Sequence, residues 1–201
     1  MVHKLESGDP IKRARGRPRG FDTEVALKAA SERFRTFGYA ATSLDDLAAA
    51  TGLARPSLYA AFGDKKALYL AALARTHHRL EATFDALDAA PPPRNVLLET
   101  IFASTIAGYL TGEIAPAGCI AVSTASAEAV ADPEIRAALL AFLHMQDARM
   151  ERALDTAGLT HPRRAARILM SVLHSLAIRT RAGTPRAELE AIAADCIALL
   201  S

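Results

Sequence analysis

The sequence has no tryptophan, two cysteines and few other aromatic residues, since Phe, Trp and Tyr together make up 5% of its 201 residues. Cys119 and Cys196 are too few for a disulfide framework or a four-ligand zinc site. No apolar run approaches the roughly 18 residues of a membrane span. The basic N-terminus carries no apolar segment typical of a secretory signal. We therefore expect a cytoplasmic protein without disulfides and without a membrane partner.

Signals for β-strands and for catalysis are also scarce. The chain has no Asn-Gly or Asp-Gly turn and few alternating β-branched runs, whereas the helix formers alanine and leucine are abundant. Neither a glycine-rich phosphate loop nor a nucleophile elbow occurs. His77 and Glu81 share a helix face, but two ligands are too few for a metal site. The sequence predicts an all-α protein with no catalytic activity, no cofactor and no metal.

Charge is unevenly distributed along the chain. The net charge of +2 divides into +6 for residues 1–80 and −4 for residues 81–201, which indicates a polyanionic partner for the first part. Residues 1–20 carry six Lys and Arg side chains and few apolar ones, and they are predicted to form a disordered basic arm. Residues 15–19 (RGRPR), with Arg17 at their centre, resemble an AT-hook core that enters a narrow minor groove. Such an arm can also attract phosphates without sequence preference, or have no role.

Helical periodicity begins near Phe21. Leu27, Ala30 and Phe34 share one face of the first helix, which Asp22 is expected to cap. Further helices are predicted at 44–50, 55–62, 65–87, 94–111, 120–130, 133–157, 162–182 and 185–200. This pattern predicts an N-terminal three-helix domain over residues 21–70, linked by the long fourth helix to a helical domain over residues 71–201. The proline run at 91–93 ends that long helix.

Two short helices joined by a tight turn follow the first helix, as in a helix-turn-helix. Ser43 and Asp46 fit a capping box at the start of the second helix. Ala48 is small enough for a close helix crossing, Gly52 permits a left-handed turn, and Leu58 is expected to point into the core. This combination in a basic segment favours a nucleic-acid-binding helix-turn-helix over a plain helical hairpin.

The same segment resembles the DNA-binding domain of the tetracycline-repressor-like (TetR/AcrR) regulators over roughly residues 22–70. The resemblance rests on residues 37–48 (FGYAATSLDDLA), 55–59 (RPSLY) and 62–65 (FGDK), with Leu68. It implies a homodimer whose two third helices enter successive major grooves of a palindromic operator in double-stranded DNA. It also implies an effector-binding and dimerisation domain over residues 71–201. The implied function is a ligand-responsive transcriptional regulator, with repression favoured over activation.

DNA-contacting positions follow from the same resemblance. Together with Arg17 of the arm, the predicted DNA-binding residues are Thr42, Ser43, Arg55, Pro56, Ser57, Tyr59 and Lys65. Ser43 matches a position near a phosphate, and Tyr59 and Lys65 match backbone-contacting positions. Arg55 can bind guanine O6 and N7 in bidentate fashion. Tyr59 has an alternative role as an aromatic packed under the turn.

This sequence departs from the family pattern around the third helix. Ala60 and Ala61 stand where larger or polar side chains often contribute contacts, and Ala54 removes a potential cap. Readout of the operator is therefore expected to depend on few side chains, with recognition of DNA shape supplying the rest.

The C-terminal helices are expected to enclose a cavity for a small apolar or amphipathic effector. Candidate lining residues are Phe102, Tyr109, Cys119, Phe142 and Met145, which could alternatively be plain core. Residues 117–120 (AGCI) are similar to one branch of the family. Cys119 begins a predicted helix, where a thiol pKa is lowered, so redox or electrophile sensing stands beside simple burial as its role.

Apolar stripes on the predicted helices 162–182 and 185–200 are typical of core faces, and the resemblance implies that these helices form a four-helix dimer interface. The stripes comprise Ile168, Val172, Leu176 and Arg179, then Leu189, Ile192, Cys196, Leu199 and Leu200.

Two other classes of function remain. One is an architectural DNA-binding protein without an effector. The other is an all-α enzyme or carrier whose basic N-terminus is incidental.

Overall fold

A computed structural model describes residues 21–200, so the predicted basic arm with Arg17 lies outside the described residues. Between residues 21 and 200 all the regular secondary structure is helical and there is no strand, which confirms the all-α prediction. No helix in this range is long and apolar enough to cross a membrane.

Nine α-helices and one π-helical segment follow one another over residues 21–200. The α-helices are α1 Thr23–Phe37, α2 Leu44–Thr51, α3 Arg55–Phe62, α4 Lys65–Ala89, α5 Arg94–Tyr109, α6 Ser126–Glu128, α7 Pro133–Thr156, α8 Pro162–Arg181 and α9 Arg186–Leu200. The π-helical segment Ala121–Ala125 runs directly into α6. Most of the predicted helices are therefore found, with ends that differ by one or two residues.

Local sequence signals account for the ends of the first helices. Asp22 accepts hydrogen bonds from two N–H groups in the first turn of α1, at 2.8 and 3.4 Å. Ser43 and Asp46 form the reciprocal capping box predicted for α2. Gly52 ends α2 in the left-handed region, at φ 68° and ψ 16°, where glycine has no steric penalty. As expected, Ala54 gives α3 no side-chain cap.

The continuous helix predicted over residues 120–130 is wrong in detail. The chain forms the π-helical segment first, then the single turn of α6, and then a turn that leads to α7. Within the π-helical segment, the buried Thr124 hydroxyl donates to the Ile120 carbonyl at 2.6 Å and lies 2.6 Å from the buried Tyr69 hydroxyl of α4. This long-range pairing fixes the segment against α4, and the spacing of apolar residues along the sequence does not predict it.

Apolar packing forms two clusters. One joins the C-terminal part of α4 to α5, α7, α8 and α9. The other contains Phe34, Leu47 and Leu58 from the first three helices and extends to Ile120 and to Phe142 of α7. The N-terminal helices therefore share a core with the C-terminal helices, and the predicted division at residue 70 crosses that core.

Candidate nucleic-acid interface

Helix α3 is oriented by its single buried side chain. Leu58 is 3% exposed and packs in the core shared with α1 and α2. Tyr59 is 48% exposed, and the Arg55 side chain is 53% exposed. These two residues are four positions apart and therefore share a helix face. Pro56 is also exposed and Ser57 is half-buried, so the first turn of α3 presents the predicted contact residues to solvent.

Arg55 is not a free cation in this structure. Its Nε donates to Asp45 Oδ1 at 2.6 Å, and its Nη2 pairs with Asp45 Oδ2. Both side chains are exposed, and the pair raises the pKa of the Arg55 guanidinium. Asp45 is not among the residues predicted from the sequence, because only the packing of α2 against α3 brings it to Arg55. The candidate base-reading residue thus carries a carboxylate partner on the same surface.

Of the two predicted DNA contacts at the start of α2, Ser43 is exposed and Thr42 is buried. The Ser43 hydroxyl is exposed and engaged with Asp46, whose pKa is lowered by these hydrogen bonds. Thr42 is fully buried, and its hydroxyl donates to the Gly38 carbonyl at 2.6 Å. A side chain without exposed surface cannot touch a phosphate, so this placement corrects the prediction for Thr42. Its hydroxyl instead ties the α1–α2 connection together.

Lys65 is the first residue of α4, three positions after the end of α3, and its side chain is half-buried. Its ammonium nitrogen is 4.3 Å from the ring centroid of Tyr39, a contact that positions the long side chain. No carboxylate in the described part of the chain forms an ion pair with Lys65. The neighbouring Lys66 instead pairs with Glu134 at 2.5 Å and with Asp132 at 3.4 Å. Of these two lysines, only Lys65 has an ammonium group without an acidic partner, as a phosphate contact requires.

A cavity of about 300 Å³ lies among α4, α5, α7 and α8. Its lining includes the predicted residues Tyr109, Cys119 and Phe142, whereas Phe102 and Met145 pack in the surrounding core. Apolar side chains predominate, and Thr76, Arg79, Thr83, Ser104, Thr105 and Gln146 supply polar groups. A larger opening of about 660 Å³ beside the start of α8 is an open surface groove. The cavity among the four helices is the better candidate for a small molecule, because side chains from all four helices line it.

Cys119 lies in the wall of this cavity, at the turn before the π-helical segment. Burial raises the pKa of its thiol, and this effect exceeds the opposing hydrogen bonds from the backbone of Val122 and Ala121. The expectation that a helix start lowers this pKa is therefore wrong. The thiol is protonated at neutral pH, which disfavours reaction as a thiolate.

We predict that alkylation of Cys119 by iodoacetamide is at least about tenfold slower in the folded protein than in urea near neutral pH, because only the thiolate reacts. The alkylation rate of the folded protein should rise with pH until the pH exceeds the raised pKa of the Cys119 thiol. Peptide mapping by mass spectrometry separates Cys119 from Cys196, and the Cys119→Ser variant provides the background. Equal rates for folded and unfolded chains would instead identify an accessible, reactive thiol.

The histidines form ordinary polar contacts. His77 and His78 lie 3.6 and 3.1 Å from the carboxylate of Glu81. No group of three or more potential ligands that could hold a metal ion occurs over residues 21–200. His174 Nε2 is 3.1 Å from Gln146 Oε1, and burial lowers the pKa of this histidine, so it is neutral at neutral pH.

The last two helices divide their apolar residues between the chain's own core and its surface. Leu176, Leu189 and Cys196 are buried within the chain. Ile168, Val172, Ile192 and Leu200 are half-buried, and Leu199 is 72% exposed. The second group is therefore the part of the predicted stripes that remains available to a second subunit.

The arrangement of α2 and α3, with a capped first helix and an exposed basic turn on the second, is that of a helix-turn-helix DNA-binding protein. Residues 26–72 match the family described as bacterial regulatory proteins, tetR family. The chain is 31% identical over 205 residues to the HTH-type transcriptional repressor ComR of Escherichia coli (strain K12), an alignment that covers 96% of each protein. The chain belongs to the tetR family and is a DNA-binding transcriptional regulator, not an enzyme.

Solved structures have the same fold. A cysteine mutant of the TetR family transcriptional regulator CifR, complexed with 26-bp double-strand operator DNA, is 30% identical and has a TM-score of 0.74. That similarity covers 92% of this chain and 100% of the CifR chain. The reduced form of NemR from E. coli is 17% identical with a TM-score of 0.73, over 87% of this chain and 94% of that chain, and it supports the fold alone.

Proposed function

We propose that the protein is a repressor that binds a palindromic operator as a homodimer and leaves it when a small molecule occupies the cavity. The observation that carries this proposal is the exposed face of α3, which presents Arg55 and Tyr59 to solvent. At the start of α4, the Lys65 ammonium has no acidic partner in the described part of the chain. The relative ComR is named a repressor, and CifR was solved on operator DNA. Residues 21–70 would bind the DNA, and residues 71–201 would bind the effector and the second subunit.

Dimerisation is the part of the proposal that the half-buried apolar residues of α8 and α9 support. One helix-turn-helix covers one half-site, so a palindrome requires two copies related by a two-fold axis. Ile168, Val172, Ile192 and Leu199 would be covered by the same residues of a second chain. The residues of these helices that face inward already have partners in their own chain.

The effector we propose is apolar or amphipathic, because the cavity wall is mainly apolar with a few polar groups. Aromatic and aliphatic side chains such as Tyr109, Phe142 and Leu173 would surround its body. Gln146 and Arg79, which also line the cavity, would bind a polar end. The molecule releases DNA only if it binds the DNA-free conformation more tightly than the DNA-bound one. A true effector should therefore stabilise the free protein and weaken operator binding in parallel.

The test is selection of bound duplexes from a random DNA library by the wild type, Arg55→Ala and Lys65→Ala. We predict that Arg55→Ala loses discrimination of about 1–3 kcal/mol at one base pair per half-site, because it removes a bidentate donor. Lys65→Ala should weaken binding similarly on all sequences and reduce the salt dependence by about one phosphate contact.

Each outcome of this selection separates the proposal from its rivals. A palindrome recovered by the wild type supports a dimeric sequence reader and supplies the operator for effector screening. Salt-sensitive binding without a motif would favour an architectural protein. Equal losses on every DNA for Arg55→Ala would remove Arg55 from the base-reading residues. Failure of freshly refolded, ligand-free protein to bind any duplex would contradict operator binding altogether.

A further inference from the structure

Asp45 is an acidic residue on the surface that meets DNA, where a carboxylate is repelled by phosphates. It occupies the first turn of α2 and is 72% exposed. The capping of α2 does not involve it, since Ser43 and Asp46 form the capping box. Asp45 instead contacts Arg55 across the turn, through both carboxylate oxygens. Its position therefore calls for an explanation in terms of Arg55.

The geometry of the pair leaves Arg55 competent to read a base. A guanidinium has five N–H donors in one plane, and Asp45 uses the edge formed by Nε and Nη2. The other edge, formed by Nη1 and the second hydrogen of Nη2, has no hydrogen-bond partner among residues 21–200. Two parallel donors on that edge match guanine O6 and N7. The ion pair and the bidentate base contact can therefore exist at the same time.

We infer that Asp45 is a specificity-determining positioning residue, which holds the Arg55 guanidinium so that its free edge faces a guanine. This inference rests on the proposed operator-reading function. The orientation of Arg55 matters here because Ala60 and Ala61 of the same helix have no long side chains that could contact bases. Without Asp45, Arg55 samples many rotamers and also contacts phosphates, which carry no sequence information.

The experiment compares two duplexes: the selected operator, and the same operator with the base pair read by Arg55 replaced. The measured ratio is the dissociation constant of the replaced duplex divided by that of the operator, so a larger ratio means stronger discrimination. Asp45→Ala should reduce this ratio about tenfold, approaching the ratio of Arg55→Ala. Asp45→Asn should give an intermediate ratio, since its amide can accept only on one side. Both variants should retain the wild-type thermal unfolding midpoint to within a few degrees, because Asp45 is exposed and outside the capping box.

Two controls isolate orientation from charge. Glu24→Ala removes a carboxylate from α1 that pairs with Arg75, away from α3, and should leave the ratio unchanged. A double-mutant cycle uses Arg55→Lys, which cannot present two parallel donors. In that background Asp45→Ala should have no further effect on the ratio, because the geometry it maintains is already lost.

Three results would overturn the inference, and they are distinguishable from failure of the proposed function. If Arg55→Ala alters one base position while Asp45→Ala leaves the ratio within twofold, Asp45 does not position Arg55 and operator reading stands. If Asp45→Ala strengthens binding equally on both duplexes, the carboxylate acts only as a competitor for phosphates. If the wild type selects no motif at all, the inference and the proposed function both fail.

Discussion

Replacing Gly118 with alanine is expected to lower the free energy of unfolding by about 2–5 kcal/mol, because two costs add at this position. Gly118 has φ +65°, where a side chain costs about 1–2 kcal/mol. A Cβ atom would also lie 2.5 Å from the carbonyl oxygen of Ala177 and 2.8 Å from Ser123 Oγ. The first neighbour is backbone of α8 and cannot move aside by a rotamer change, so overpacking contributes about 1–3 kcal/mol more.

Urea unfolding followed by circular dichroism measures this difference, and Gly158→Ala is its matched control. Gly158 has φ +79°, but nothing lies within 4 Å of a Cβ built there. It should therefore lose only the backbone cost of about 1–2 kcal/mol. Equal losses for the two variants would show that the connection after α5 shifts away from α8 easily. A wild-type midpoint for Gly118→Ala would show that α8 does not approach the chain closely here.

The features of this fold that follow from the sequence are local ones. The Ser43–Asp46 capping box and the left-handed Gly52 depend on residues a few positions apart, so the sequence is enough to predict them. The inward direction of Leu58 likewise follows from helical spacing, and its burial confirms that prediction. These features also carry the family resemblance, which is why the helix-turn-helix is recognisable in the amino-acid sequence alone.

The features that the sequence did not reveal arise from contacts between distant segments. The Tyr69–Thr124 hydroxyl pair spans 55 positions and accompanies a π-helical segment where helical spacing predicted a continuous helix. Burial of Thr42 and the pairing of Asp45 with Arg55 depend on how α1, α2 and α3 pack together. The raised pKa of Cys119 similarly follows from burial, which outweighs the local effect of a helix start.

The second large loss of stability is expected on replacement of Arg35, a residue of α1 that donates hydrogen bonds to the segment following α5. Its Nη1 donates to the Gly118 carbonyl at 3.1 Å, and its Nη2 donates to Thr111 Oγ1 at 3.0 Å. Glu32, on the same helix, holds the guanidinium at 2.6 Å. The Arg35 side chain is only 13% exposed. Its hydrogen bond to the Gly118 carbonyl is part-buried and therefore screened less by solvent than the exposed one to Thr111. Gly108 and Cys119, at the ends of this connection, line the cavity.

We predict that Arg35→Met destabilises the protein by about 2–3 kcal/mol, because charge-assisted hydrogen bonds are lost and the part-buried Gly118 carbonyl loses this donor. The increase in local opening should be confined to the segments that Arg35 contacts. Hydrogen exchange should accelerate at the amides of Ala117 and Gly118, which donate to the Thr111 and Tyr109 carbonyls, and at the end of α1. Methionine retains the apolar length of the side chain, so the change tests the hydrogen bonds more than the packing.

Arg75→Met is the matched control, because Arg75 is similarly buried and also contacts α1, through Glu24 at 2.6 Å, but does not reach the cavity wall. It should leave exchange at Ala117 and Gly118 unchanged. If Arg35→Met also leaves this exchange unchanged, Arg35 does not hold the connection in place. If exchange accelerates there and in α1 together, α1 and the cavity wall move as one unit. An effector that displaces this wall could then act on the helix-turn-helix through α1, since coupling between two sites requires a structural element that both contact.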